Sequence, residues 1–324
     1  MNSKAIIVPE SGAPEVLELR DQAIPSPTPG QLLIRTAAIG VNFIDVYFRT
    51  GLYPRPLPFV AGLEGAGRVE ALGAGVAGLA VGDRVAWASV PGSYAEHVLA
   101  PAASVVRVPD GVDDRTAAAA MLQGMTAHYL AHGVRETRPG DVALVHAAAG
   151  GAGLLTVQLL ARAGATVIGT CSTPEKEALA RAAGCAHVVR YTETDFAKEV
   201  KRITEGRGVD VVYDSVGRTT FAGSLACLRP RGLLVLFGQS SGPVPPFELG
   251  RLNALGSLFV TRPSLAHYTQ GRAELELRAG EVYRAIEKGA LKIRIGAEFP
   301  LAEAAAAHRA LEGRETTGKV LLIP

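Results

Sequence analysis

Residues 142–169 read VALVHAAAGGAGLLTVQLLARAGATVIG, and this stretch sets the architecture of the chain. Val142 to Val145 is a short apolar run bounded upstream by Gly140 and Asp141, the pattern of a strand buried on both faces. Gly150, Gly151 and Gly153 follow, flanked by Ala147 to Ala149. Leu154, Leu155, Val157, Gln158, Leu159 and Leu160 then crowd together at helical spacing up to Gly164, and Thr166 to Ile168 is a second apolar run. Strand, tight glycine turn, helix, strand is a βαβ unit. Ala148, Gly150 and Gly153 fall on the three small-residue positions of a dinucleotide fingerprint, with alanine at the first. The second position lets backbone approach a pyrophosphate, the third lets helix pack on strand, and the anion rests on open N–H groups at the helix start. The strand before and the helix after give the glycines their meaning.

The second strand decides which dinucleotide. An enzyme that binds NAD usually ends this strand in a carboxylate for the ribose 2′-OH. Here it runs into Gly169, Thr170, Cys171, Ser172 and Thr173, and Lys176 follows closely. Hydroxyls and an ammonium receive a 2′-phosphate that a carboxylate would repel. The expected cofactor is NADPH.

Composition bounds the rest. A chain of 324 residues defaults to two domains. A hydrophobic share of 48% with 20% charged residues describes a soluble globular protein with ample core. The net charge of +2 is too mild, and the basic residues too scattered, for a nucleic-acid partner. No leader precedes Lys4 and no apolar run reaches membrane-spanning length. Cys171, Cys185 and Cys227 are odd in number and lack CxxC spacing, which suits neither a disulfide framework nor a zinc lobe. The expected location is cytoplasmic.

Short strand-like runs separated by Pro/Gly punctuation fill residues 1 to about 122: Lys4–Val8, Val16–Leu19, Leu32–Ile39, Gly67–Leu72, Asp83–Ala86, Ala95–Ala100 and Val105–Val108. That cadence predicts a compact barrel-like domain interrupted by one helix, Asn42–Arg49. Helices are expected at Asp113–Met121 and Met125–His132. Strands are then expected at 142–145, 166–170, 187–190, 209–213, 232–237 and 257–260, alternating with helices near 151–163, 174–183, 195–205, 218–228 and 247–255. Six strands with helical crossovers make a complete doubly wound sheet. Long helices over Ser264–Lys288 and Leu301–Leu311 and a last strand, Lys319–Ile323, return the chain to the first domain. The expected division is 1–122 plus 263–324 for one domain and 123–262 for the other. Ligand should sit beyond the carboxyl ends of the parallel strands, at Ala147–Gly153, Asp214–Gly217, Gly238–Gly242 and Val260–Arg262.

The glycine turn, VVYDSVG at 211–217, FGQSSG at 237–242, VNFIDVYFRTGLYP at 41–54 and VTRPSL at 260–265 resemble the zinc-free quinone oxidoreductases of the medium-chain dehydrogenase/reductase superfamily. The resemblance runs from about Lys4 to Pro324. It implies an α/β protein: a Rossmann doubly wound parallel sheet inserted in a GroES-like β-barrel catalytic domain, with NADPH as cofactor and a quinone as substrate. In the zinc-dependent branch the first ligand cysteine falls on Asn42 and a ligand histidine on Leu63 of Gly62-Leu63-Glu64, so no metal is expected. The resemblance places Asn42, Asp45, Tyr47 and Tyr53 near the nicotinamide. Thr126 and Gly150, Gly151, Ala152 and Gly153 would hold NADPH, with Ser172, Lys176, Tyr191 and Arg314 around its 2′-phosphate. Gly217 would also bind the cofactor, and Phe237, Gly238, Gln239, Ser240, Val260, Thr261 and Arg262 would surround its nicotinamide half.

A quinone is already electrophilic, so positioning plus a hydrogen-bond donor to the forming phenolate would suffice; Tyr53, Tyr47 or Asn42 could supply it. Two other functions share the fold: reduction of an α,β-unsaturated carbonyl, which needs an acid to protonate the α-carbon, and non-catalytic NADPH binding in a crystallin-like or RNA-binding protein. GQSSG at 238–242 fits the GxSxG nucleophile elbow, but Pro243, Pro245 and Pro246 deny it the helix that motif needs. The apolar strand SLFV at 257–260 closes the sheet. An uncovered apolar edge invites pairing, so a homodimer is expected through it.

Overall fold

The computed structural model describes residues 2–324 and divides into two compact units. One comprises the chain up to Met125 together with Thr269–Pro324; the other is Thr126–Tyr268.

The chain begins with β1 (Asn2–Val8), β2 (Glu18–Ala23), β3 (Gln31–Val41), the helix α1 (Phe43–Arg49), β4 (Phe59–Val60), β5 (Glu64–Leu72), β6 (Arg84–Trp87), β7 (His97–Pro101) and β8 (Val105–Arg107). β1 is sandwiched between β2 and β4 in a small antiparallel sheet. β3, eleven residues long, pairs with both β5 and β7, so its apolar residues meet the core almost throughout. Ala5, Ile7, Leu32, Ile34, Val69, Val85, Trp87 and Val98 fill one cluster of this unit. The strand expected at Val16–Leu19 is instead a 3₁₀ turn, Pro14–Val16, running into β2. Every residue of β2 is exposed, so no buried face imprinted a hydrophobic period on ELRDQA.

Two helices were expected before the glycine turn; there is one, α2 (Asp114–Tyr129), continued by a π-helical turn at Leu130–Val134. Gly124 lies between the two expected helices. A Cβ there would lie 2.9 Å from Val282 Cγ1, so the glycine serves close helix packing rather than termination.

The second unit alternates β9 (Val142–Val145), α3 (Gly151–Arg162), β10 (Thr166–Cys171), α4 (Pro174–Ala183), β11 (His187–Arg190), α5 (Phe196–Ile203), β12 (Val209–Asp214), α6 (Phe221–Cys227), β13 (Leu228–Leu236), α7 (Gly250–Ala254), β14 (Phe259–Thr261) and α8 (Leu265–Tyr268). The six strands are parallel in the order β11-β10-β9-β12-β13-β14, the doubly wound arrangement, whose order reverses between β9 and β12. Period-two alternation divides the strand residues between two cores. Ala143, Val145, Val167, Val211, Tyr213 and Val235 pack with Val157 and Leu160 of α3 on one face. Leu144, Ile168, Val212, Leu234 and Leu236 pack with Val200, Phe221 and Leu225 on the other. A continuous apolar run is what such two-sided burial requires.

The chain returns through α9 (Arg272–Glu287), β15 (Ile295–Pro300), α10 (Ala304–Glu312) and β16 (Lys319–Ile323). The single helix expected over Ser264–Lys288 is broken between α8 and α9, where Gly271 forms the N-cap of α9 in extended conformation. β15, half-exposed along its length, left no sequence signal. It pairs with β16, which pairs antiparallel with β3, so the last strand completes the first unit's large sheet.

Candidate functional site

At the reversal point of the parallel sheet, β9 ends and the chain turns through Ala147–Gly150 into α3. Leu154 N–H to the Gly150 carbonyl, 2.9 Å, is the first bond along this helix, and no side chain caps it. The amides of Gly151, Ala152 and Gly153 therefore form its open positive end. A Cβ on Gly153 would collide with the Ala147 carbonyl oxygen, and one on Gly150 would sit 3.2 Å from the same atom. A Cβ on Gly169 would meet Cys185 Sγ at 2.7 Å and Ala148 Cβ at 2.8 Å. The turn thus holds helix and strands at a separation that only small residues permit. These are the features a pyrophosphate needs, and the residues present fit a dinucleotide.

At the end of β10 the chain carries no acid. Thr173 caps α4, its hydroxyl accepting from the Lys176 amide at 3.3 Å. Thr192 donates to the Ser172 carbonyl at 3.0 Å, and the Tyr191 amide donates to the Cys171 carbonyl at 3.1 Å. Ser172, Lys176 and Tyr191 accordingly lie in adjoining turns at the same end of the sheet. Arg314 belongs to the other unit, just after α10, with φ +58°.

The loops beyond β12 and β13 are zipped together. Ser240 and Ser241 amides donate to the Ser215 and Val216 carbonyls at 3.1 and 2.9 Å, and Gly217, at φ +88°, packs against Gln239 and Gly242. Arg262, following Val260 and Thr261 of β14, donates to the Leu236 carbonyl at 3.1 Å. Thr126 is buried in α2 at the boundary of the unit. The buried Asp214 carboxylate pins the first of these loops: it accepts from the Val216 and Gly217 amides at 2.8 and 3.0 Å, from Thr220 and from Ser224 Oγ at 2.8 Å. Because Ser224 gives its proton to a carboxylate, its oxygen accepts from His146 Nε2 at 2.9 Å, and His146 Nδ1 accepts from Thr170 at 3.0 Å. Burial holds the His146 pKa below its ordinary value. Serine stands between histidine and aspartate, so this is a brace for the loop and not a nucleophilic triad.

In the other unit, Asn42 caps α1 through a reciprocal capping box with Asp45. Lys319, buried on β16, donates to Asn42 Oδ1 at 2.8 Å and pairs with Glu64, which is fully buried. Lysine has no acceptor, which fixes the amide: oxygen toward Lys319, nitrogen toward Glu64 Oε2 (2.8 Å) and the Gly40 carbonyl (3.3 Å). Gln123 donates a second bond to Asn42 Oδ1 at 3.3 Å. Both amide hydrogens of Asn42 are therefore committed inside the protein, and a donor for substrate must come from elsewhere. Gly40 makes room for the pair, since a Cβ there would strike the Glu64 carboxylate and lie 2.8 Å from Lys319 Cε.

One turn further along α1, Tyr47 meets Tyr53 edge-on at 5.2 Å and Phe43 at 6.2 Å, and Tyr53 also meets Phe48 edge-on at 5.7 Å. The Tyr53 amide donates to the Tyr47 carbonyl at 3.0 Å, folding GLYP back over the helix. This brings Asn42, Asp45, Tyr47 and Tyr53 onto one short helix and its return loop. Asp45 is 3% exposed; burial raises its pKa to about 7 against the pull of the Asn42 amide and Tyr94. Sequence reasoning missed Lys319, Gln123, Tyr94, His308 and Arg49, which complete this cluster. No spacing rule links them, because they arrive from five separate segments. Among the described residues, no group of three or more His, Cys, Asp or Glu side chains is placed to hold a metal ion.

Two family models match the chain. Residues 28–110 match the model described as the alcohol dehydrogenase GroES-like domain, and residues 183–322 match one described as zinc-binding dehydrogenase. The chain is 49% identical over 316 residues to a quinone oxidoreductase of Pseudomonas aeruginosa, covering 97% of each chain. It is 44% identical to a 2-haloacrylate reductase of a Burkholderia species, over 99% of this chain and 98% of that one. The solved structure of Escherichia coli quinone oxidoreductase complexed with NADPH superposes with a TM-score of 0.97 at 42% identity, over 99% of this chain and 100% of that one.

Proposed function

The chain belongs to the quinone oxidoreductases of the medium-chain dehydrogenase/reductase superfamily, and on that premise we propose that it transfers a hydride from NADPH to a quinone without a metal. The observation that carries this reading is the open, glycine-cleared start of α3 beside a second strand that lacks a terminal acid.

When bound, NADPH supplies the hydride. The residues of this chain would hold and aim it. The amides of Gly151, Ala152 and Gly153, presented through Gly150, would receive the pyrophosphate. Ser172, Lys176, Tyr191 and Arg314 would surround the 2′-phosphate. Thr126 and Gly217 would also hold the cofactor, Gly217 kept in place by the Asp214 brace, and Phe237, Gly238, Gln239, Ser240, Val260, Thr261 and Arg262 would line its nicotinamide half. Asn42, Asp45, Tyr47 and Tyr53 would face the quinone. In this arrangement Asn42 orients α1, and Tyr47 and Tyr53 present aromatic faces on which a planar ring can stack. The donor set itself argues against a zinc ion: Leu63 offers no ligand atom, and Asn42 Oδ1 already takes the Lys319 ammonium, whose charge would oppose a dication.

Steady-state assays with NADPH and NADH against quinones, enones and a 2-haloacrylate test the reading. NADPH-dependent quinone reduction at a kcat/KM at least tenfold above any enone or haloacrylate is expected. The 44% identity to a 2-haloacrylate reductase makes the unsaturated carbonyls the one competing class, and a reversed ratio would move the assignment there.

Among the described residues, no helix is long and apolar enough to cross a membrane. All three thiols are buried and free, which suits the reducing interior of a cell, and we assign the enzyme to the cytoplasm. A homodimer through β14 is part of the same proposal. This strand is the outer edge of the six-stranded sheet, and Phe259 and Val260 on it are 60% and 39% exposed.

A further inference from the structure

Two arginines close together in the chain stand in opposite states. Arg49, the last residue of α1, is buried with its donors taken. Glu312 holds its guanidinium with two bonds of 2.8 and 2.9 Å, the Gly12 carbonyl accepts from Nε at 3.1 Å, and His308 Nδ1 accepts at 3.0 Å. Arg55, in the return loop after α1, is half-buried, and among the described residues it has no hydrogen-bond or ion-pair partner. It is held by rings instead. Its guanidinium carbon stands 4.7 Å from the centre of the Phe59 ring and 5.7 Å from that of Phe48, within reach of a cation–π attraction. Ring faces attract the charge of a guanidinium but offer no oxygen to its fork of N–H donors.

The neighbouring acid does not fill that fork. Asp45 Oδ2 accepts from the Asn42 amide at 2.8 Å and from Tyr94 Oη at 3.0 Å, while Oδ1 is buried with no partner. Asp45 attracts Arg55 through space without bonding to it; burial draws the Arg55 pKa below its ordinary value against that pull. The clamp is also stiff. Pro54, Pro56 and Pro58 alternate with Tyr53, Arg55 and Leu57, and each proline fixes its own φ and biases the residue before it toward extended backbone. Phe48 belongs to α1, and Phe59 to β4, where it pairs with Val8 of β1. An open fork held this way loses little further freedom when it takes a ligand.

We propose that Arg55 is a specificity-determining residue whose fork binds an anionic substituent, a carboxylate or sulfonate, on a quinone whose ring lies along Tyr47 and Tyr53. The proposal rests on the quinone reading and names the acceptor class, an anionic quinone. Phe48, which Arg55 touches, is also the ring that Tyr53 meets edge-on at 5.7 Å, and Tyr53 meets Tyr47 at 5.2 Å. Tyr47, Tyr53 and Phe48 therefore form a continuous row with the guanidinium at its far end. That position, removed from Tyr47 by two rings, suits a substituent and not the carbonyl that receives the hydride. An oxyanion group takes two parallel N–H bonds from a guanidinium. Because Arg55 is partly exposed, a dissolved anion reaches it from solvent.

The test compares 1,2-naphthoquinone with 1,2-naphthoquinone-4-sulfonate, which share a ring system and differ by one anion, as acceptors for NADPH on the full chain. In Arg55→Ala the ratio of kcat/KM for the sulfonate over the parent should fall at least tenfold, and the loss should enter through KM. Arg55→Lys keeps the charge without the fork and should recover part of it. Added salt should lower the ratio in wild type and leave it steady in Arg55→Ala. A readout independent of turnover is fluorescence titration with naphthalene-2-sulfonate, which cannot be reduced by hydride; its Kd should weaken at least fivefold in Arg55→Ala. Arg55→Gln supplies a second variant, with the same expected losses, if Arg55→Ala folds poorly by circular dichroism. An unchanged ratio, an equal loss of kcat on both quinones, or an unchanged Kd for naphthalene-2-sulfonate overturns the proposal and leaves the quinone reading intact. A wild-type protein that reduces neither quinone removes the quinone reading itself, and the proposal with it.

Discussion

Lys319 and Asn42, 277 residues apart, are joined by a 2.8 Å hydrogen bond from the buried ammonium to the amide oxygen. Glu64 closes the triangle, accepting from both. The C-terminal strand thereby fixes the start of the helix that carries Asp45 and Tyr47, and the candidate site depends on the last residues of the chain.

Removing the ammonium should be costly, because Glu64 would remain buried without a counter-charge. Lys319→Met is expected to lower stability by about 3–5 kcal/mol, read as a shift in the urea midpoint at constant slope. Lys319→Met with Glu64→Gln should recover part of that loss. A single variant as stable as wild type would show that the triangle contributes little.

At the glycine lip, Gly153→Val should abolish NADPH binding, since its side chain must displace the Ala147 carbonyl that shapes the turn. Calorimetric titration should show affinity reduced at least a hundredfold. Gly150→Ala, whose Cβ would lie 3.2 Å from the Ala147 carbonyl oxygen rather than collide with it, should lose far less.

Cofactor preference should follow charge at the end of β10. Ser172→Asp together with Lys176→Glu places two carboxylates where a 2′-phosphate is expected. The ratio of kcat/KM for NADPH over NADH should fall by at least a hundredfold, about 3 kcal/mol of discrimination. An unchanged ratio would mean that the phosphate is read elsewhere.

Acid should destabilise the protein through His308. Its pKa is depressed to about 3 in the folded state, so below its ordinary value of 6.5 the unfolded chain takes up a proton that the folded one does not. The stabilisation is present in full above pH 6.5 and is lost as pH falls toward 3, at roughly 1.4 kcal/mol per pH unit. Asp45 acts in the opposite sense: its raised pKa means that stability is lost as pH rises from about 4 to about 7. Unfolding by urea from pH 7.5 to 4.5 should therefore show these two contributions nearly cancelling in wild type, with stability rising toward acid in His308→Gln and falling in Asp45→Asn.

The exposed edge at β14 gives the dimer its own check. Phe259→Lys with Val260→Lys should yield a monomer by light scattering at micromolar concentration, where wild type is expected to be a dimer. A wild-type monomer under those conditions would refute the assembly.

Much of the second unit was legible in the sequence because its physics is local. A strand buried on both faces must be continuously apolar, a turn on a pyrophosphate must be small, and both signatures are complete within residues 142–169. The missing carboxylate after Ile168 is likewise read within a few positions. β2 and β15 escaped because their residues are exposed or only half buried, so no hydrophobic period was selected. The two helices expected on either side of residues 122–124 are one, because Gly124 admits Val282 in close packing and does not end a helix.

The sequence by itself determined the doubly wound sheet and its glycine lip, since each is encoded by neighbours along the chain, whereas the four residues around α1 were expected only from the family resemblance. Only the tertiary structure decided what those four residues can do. Asn42 loses its free donors to Glu64 and Gly40, and Asp45 has one oxygen saturated and the other bare. Tyr94, His308, Arg49 and Lys319 impose these states across separations of 49 to 277 residues. Hydrogen-bond direction depends on which atoms meet in space, and no local pattern records that.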